Sequence, residues 1–176
     1  MAEVHIIGQL LGATGFNSQN LFCKWGIVAG RNWELLEGND QGQTHLDEAE
    51  DGEMVIWSHP LDVHFATCGL VGWPKIHFQI WSQDSYGRND IMGYGFCHVP
   101  TTPGTHELSC ATWVPEGSLG EKIRSFFLGG NPRLRAEEVV FTPQDRYRLR
   151  TTTSGLVHLS LSLMFKDFGK NHVQTG

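Results

Sequence analysis

Residues Ile76 to Phe96, "IHFQIWSQDSYGRNDIMGYGF", alternate apolar and polar side chains up to Trp81, cross a polar loop, and resume as a second β-rich run from Ile91. A strand, a loop and a second strand in this order imply an antiparallel hairpin with one wet face. Ile76, Phe78 and Ile80 fall on one side of the first strand, and Lys75, His77 and Gln79 on the other. The same alternation sets Leu61, Val63 and Phe65 against Asp62 and His64. It recurs with Val157, Leu159, Leu161, Leu163 and Phe165 against His158, Ser160 and Ser162. Strands with one buried and one solvated face are what a two-sheet antiparallel sandwich requires.

Working outward, Gly and Pro punctuate the chain, and short runs rich in β-branched and aromatic residues lie between them. Further strands are expected at "VHIIGQLLG", "NLFCKWGIV", "MGYGFCHV", "THELSCATW" and "RYRLR", with shorter ones at 33–36, 43–46 and 54–57. One helix is expected over 118–130, "SLGEKIRSFFLGG". Ser118 and Glu121 form a capping box there, and Leu119, Ile123, Phe126 and Phe127 share a stripe. That stripe is most simply a lid on the sandwich. The expected fold is all-β, an antiparallel sandwich of about eight strands with one short helix. Residues 1–170 are read as a single domain and 171–176 as a C-terminal tail.

The 176 residues carry a formal charge of −6, which argues against a nucleic-acid binder. Charge is uneven: four Lys/Arg stand against eleven Asp/Glu over 1–88, and nine against eight over 89–176. Neither an eighteen-residue apolar run nor a basic leader is present, so a soluble, cytoplasmic protein is expected. Cys23, Cys68, Cys97 and Cys110 lack zinc spacing and sit in apolar, strand-like stretches; they read as buried free thiols.

Calcium needs six to eight oxygen ligands, mostly carboxylates. The loop after Trp81 resembles the corresponding loop of C2 domains, in which paired aspartates end a strand and a third follows. Here Ser82 stands at the first position, Asp84 at the second and Asp90 at the third. The other acidic ligands of that family come from the loop before its second strand, where this chain has "GATGFNSQN", with Asn20 in place of an aspartate. The outline of a calcium loop is kept and most of its ligands are gone.

"GQLLGATGF", "LFCKWGIVAG", "WSHPLDVHFAT", "GLVGWPKIHFQIWSQDSYGR", "GYGFCHVPTTPGTHELSCATW" and "DRYRLRTTTSGLVHLSL" together span nearly the whole chain. They resemble the B9-domain family, a diverged C2-like branch of the ciliary transition zone and basal body. The resemblance implies a non-enzymatic subunit that assembles with other B9-domain proteins into the complex that gates entry to the cilium; the reduced loop makes the expected module calcium-independent, and no cofactor is expected. It also implies cytoskeletal association, through tubulin at the centrosome or basal body.

A catalytic reading finds little support. His64, His77 and His158 lie on polar strand faces, where cross-strand hydrogen bonds account for them more simply than a zinc site. Cys97 and His98 are strand neighbours and point to opposite faces. Neither a nucleophile elbow nor a phosphate-binding loop is present.

Binding surfaces are better marked. Arg146, Arg148 and Arg150 share one face of "DRYRLR", and Arg133 and Arg135 repeat the spacing upstream. They form either a patch for acidic protein surfaces, tubulin tails or anionic lipid heads, or a solvated face paired with Glu137, Glu138 or Asp145. A peripheral phospholipid-binding module using this face is the alternative function. The acidic segment Asp47–Glu53 reads as a solvated loop. Of six tryptophans, Trp73 and Trp81 are the expected exposed anchors for a partner.

Overall fold

The computed structural model describes residues 1–49, 53–116 and 150–168. Its strands are β1 (Ala2–Thr14), β2 (Asn20–Val28), β3 (Trp33–Gly38), β4 (Gln41–Gln43), β5 (Asp47–Glu48), β6 (Val55–Thr67), β7 (Lys75–Gln83), β8 (Asn89–His98), β9 (Gly104–Pro115) and β10 (Thr151–Lys166). Every pairing is antiparallel. The order is β3-β6-β1-β10-β9-β8-β7-β2-β4, with β5 beside β2. Among the described residues no helix is long and apolar enough to cross a membrane.

This continuous sheet folds into two layers at β8 and β9, which share only the pairs Tyr94 with Trp113 and Gly95 with Thr112. A Cβ on Gly95 would lie 3.0 Å from the Thr112 methyl, so glycine is what lets the strands meet at this seam. From one layer Val4, Ile6, Leu10, Leu61, Val63, Leu159 and Leu161 point inward, each at most 1% exposed. Leu21, Cys23, Trp25, Ile27, Ile76, Phe78 and Ile80 from the other layer complete one buried cluster. The three alternating runs of the sequence therefore face the core as expected.

The chain changes layer between β3, at one end of the sheet, and β4, at the other. Gly38 makes that departure with φ +92, and any side chain there would collide with the Asp62 carbonyl. Local bends also join segments that the sequence separates. The expected run at 54–57 and "LDVHFAT" form one strand, β6, because a bulge absorbs the mismatch: Leu10 faces His59, while Gly12 faces Ile56. Ser58 takes φ 45 at this bulge. Pro60 follows beyond the span covered by β3, where the lost N–H costs no ladder bond on that side.

Some expectations need correction. Ten strands are present among the described residues; of the shorter runs expected, 33–36 lies in β3, and the one at 43–46 is displaced to β4, a short edge piece against β2. Asp47 and Glu48, read as loop, form β5. Cys23 and Cys110 are buried and Cys97 partly so, but Cys68 is exposed, because β6 ends at Thr67 and the chain bends there. The expected helix over 118–130, residues 50–52 of the acidic segment, and the tail lie outside the described residues.

Phe78 has no exposed surface and sits in the middle of β7. Phe78→Ala is expected to cost about 3–5 kcal/mol in urea unfolding. Met164→Ala, at a side chain 51% exposed, should stay within about 0.5 kcal/mol of the parent.

Candidate functional site

The hairpin of β7 and β8 holds the loop 84–88 between two strands fixed by core burial. Within it the backbone turns on itself: the Gly87 N–H donates to the Asp84 carbonyl at 3.0 Å, and the Asp84 N–H to the Arg88 carbonyl at 3.0 Å. Gly87 takes φ +78, which glycine adopts without strain.

The Asp84 carboxylate is the centre of this loop. Its Oδ1 accepts the N–H of Tyr86 at 2.9 Å and of Arg88 at 2.8 Å. Its Oδ2 accepts the Arg88 Nε–H at 2.7 Å. The Arg88 guanidinium also lies 5.5 Å from the centroid of the Tyr86 ring. The Arg88 backbone N–H, helped by its side chain and by the Tyr86 N–H, holds the Asp84 carboxyl below the ordinary carboxylate value.

The register brings the other loop positions to the same end of the sandwich. Ser82 pairs with Asp90 in β8 and with Leu21 in β2, next to Asn20. Asn20 in turn faces Glu48 of β5. The Gln83 side-chain amide donates to Asn89 Oδ1 at 3.1 Å, and Asp47 Oδ2 accepts the Ile56 N–H at 2.8 Å. Asp84, Asn89 and Asp47 thus each have a side-chain oxygen engaged with the protein itself, and a guanidinium is paired with Asp84. Among the described residues no three His, Cys, Asp or Glu side chains gather as a metal site.

His64, His77 and His158 do not converge. On the outer side of β1 and β6, His64 Nε2 lies 3.2 Å from Glu3 and His5 Nε2 lies 2.7 Å from Asp62, with the two rings stacked at 4.9 Å. Lys166 closes the row on Glu3 at 3.0 Å and, through that bond first, lowers the Glu3 carboxyl. His158 sits between Thr14 Oγ1 at 2.8 Å and Ser109 Oγ at 3.0 Å. His77 belongs to the other layer, packed over Gly26. The Cys97 thiol is held well above its ordinary range by contact with the Cys110 thiol and by burial, which keeps it protonated and a poor nucleophile.

The expected tryptophan anchors are half-buried, not exposed. The Trp73 indole N–H donates to the Val99 carbonyl at 2.8 Å, and its ring meets Trp33 edge-on at 5.0 Å and Phe165 at 5.9 Å. Trp81 stacks with Phe22 at 6.4 Å under the Lys24 ammonium, 5.1 Å from its centroid. It belongs to a second apolar cluster with Ile91, Tyr94, Phe96 and Trp113. Sequence reasoning missed that cluster, although Tyr94 and Phe96, alternating with glycines, mark an apolar outer face. Of the five arginines singled out, Arg150 is described: it is exposed, and its carbonyl accepts the Glu116 N–H at 2.7 Å. Arg133, Arg135, Arg146 and Arg148 lie outside the described residues.

The depressed Asp84 carboxyl gives a signed expectation. Its stabilising effect is complete above the unfolded-state value and is lost as pH falls through the lower folded-state value. NMR titration should place the Asp84 midpoint below the ordinary 3.8, and Arg88→Ala should return it toward that value. An unchanged midpoint in the variant would remove Arg88 as the cause.

Comparison with known proteins assigns this architecture. The family profile B9-C2, described as "Ciliary basal body-associated, B9 protein", matches residues 4–164. B9 domain-containing protein 2 of Bos taurus is 54% identical over 174 residues, covering 99% of each chain. Its Homo sapiens counterpart is 53% identical over the same span. B9 domain-containing protein 1 of Xenopus laevis is 28% identical over 176 residues, covering 98% of this chain and 89% of its own. By these matches the chain belongs to the B9-C2 family of ciliary basal body-associated proteins.

Proposed function

We propose that this chain is a non-enzymatic, calcium-independent interaction subunit that assembles with other B9-domain proteins at the ciliary transition zone and basal body. In that place it supports ciliogenesis and the gating of membrane-protein entry into the cilium. The observation that carries the calcium-independent part is the loop 84–88, whose one central carboxylate is spent on Arg88 and on backbone N–H groups. Full-length similarity to B9 domain-containing protein 2 supports the ciliary part. Arg150 and the four arginines before it supply a basic run for acidic partner surfaces, those of tubulin at the centrosome and basal body included. Trp81, half-buried beneath Lys24, is an aromatic that a partner could reach in this reading.

Co-precipitation with B9 domain-containing protein 1 from ciliated cells should be equal in calcium and in a calcium chelator. A calcium titration by calorimetry should give no heat and leave Tm unchanged, since a ligand bound only by the native state must raise it. A micromolar calcium site would overturn the proposal in favour of calcium-gated docking. Reversing Arg146, Arg148 and Arg150 to Glu should weaken partner recovery by about tenfold. Intact recovery, with loss of salt-sensitive binding to anionic liposomes instead, would assign those arginines to lipid.

A further inference from the structure

The described sheet has two ends. One is formed by β4 and β5, three and two residues long, which offer few free backbone groups. The other is β3, six residues from Trp33 to Gly38, paired on one side with β6. Among the described residues, the Trp33 N–H reaches the Gly30 carbonyl at 3.0 Å, and no backbone hydrogen bond of Glu34 to Gly38 leaves the β6 ladder. Alternate N–H and C=O groups of β3 therefore point away from the sheet. No Lys, Arg or Pro stands on this strand to block pairing, and Leu35 and Leu36 are 39% and 48% exposed.

The register gives the edge a two-sided chemistry. Leu35 faces Phe65 and Glu37 faces His64, so Leu36 is an extra, bulged residue. Without the bulge, Leu36 would share the outer side with Glu34; with it, Glu37 does. Glu34 opposes Ala66 and Glu37 opposes His64, the residue that stacks on His5 on the outer face. Trp33, edge-on to Phe65 at 6.3 Å, marks the inner side, which Leu35 extends. The rim is acidic outside and apolar inside.

We infer that β3 is a docking edge for an extended segment of a partner protein that alternates basic and apolar residues and adds to the sheet as a further strand. Backbone pairing would supply affinity, and the alternate side chains would supply choice of partner. Basic side chains at every second position would face Glu34 and Glu37, with the apolar ones over Leu35. An anionic membrane or a nucleic acid is disfavoured by the same two carboxylates. This inference rests on the reading of the chain as an interaction subunit and names one surface of it.

The test uses the full chain and a synthetic peptide of alternating arginine and valine. Those amides of 34–37 that point away from β6 should exchange rapidly in the free protein and slow when the peptide is present. Anisotropy should show binding that Glu34→Lys with Glu37→Lys weakens by about tenfold or more. Both side chains are exposed, and circular dichroism of the variant should match the parent. Protection of the outward amides without peptide would overturn the inference, since the chain itself or a second copy then covers β3. Equal binding by the reversed variant, or binding without slowed exchange at β3, would overturn it as well. Those failures, with recovery of B9 domain-containing protein 1 intact, would leave the interaction reading standing. Lost recovery by the unaltered chain, with β3 still protected by peptide, would remove that reading and keep the edge.

Discussion

The inner faces of two sheet layers, pressed together, hold this molecule in shape. Backbone hydrogen bonds do little to join the layers, since β8 and β9 share two residue pairs at the seam. Side chains do it instead: Ile76, Phe78 and Ile80 are at most 1% exposed, as are Val63, Leu159 and Leu161 opposite. Each such side chain contributes about 1.5–3 kcal/mol by leaving water. A direct polar tie also crosses the layers, where the Trp57 indole N–H of β6 donates to the Leu21 carbonyl of β2 at 3.1 Å.

That burial determines what the loops can do. With β7 and β8 locked in register, the loop between them closes over a short, fixed span. A calcium loop places several carboxylates close together and relies on the ion to offset their repulsion. Here one carboxylate remains at the centre, and the guanidinium of Arg88, four residues on, supplies the compensating charge at 2.7 Å. The loop is tied together by its own residues, through Asp84, Tyr86 and Arg88.

The two outer faces differ in kind. One carries a polar row from Asp62 through His5, His64 and Glu3 to Lys166. The other carries the apolar group around Trp81, Ile91, Tyr94 and Trp113. Which side chains each face carries is set by strand register. The bulge at Leu36 shows how local this control is: one extra residue turns Glu37 outward and changes the character of an entire edge.

Much of this was legible in the chain itself. Period-two alternation in "KIHFQIW", "LDVHFAT" and "LVHLSLSLMF" picked out the inward apolar side chains, because one face of each pleated strand is buried; Gln79, read as solvated, is buried as well. That Ser82 and Asn20 carry no carboxylate was also readable, since it is a property of residue type. The partner to which Asp84 turned was not readable, because it depends on a turn that folds Arg88 back onto it. Exposure of Trp73 and Trp81 was misjudged for a related reason: alternation tells which way a side chain points and not what other strands have placed there. Sequence by itself determined the sandwich and its inner faces, through periodicity. Only the tertiary structure decided the edges, the bulge registers and the outer aromatic cluster, because these arise from contacts between residues far apart in the chain.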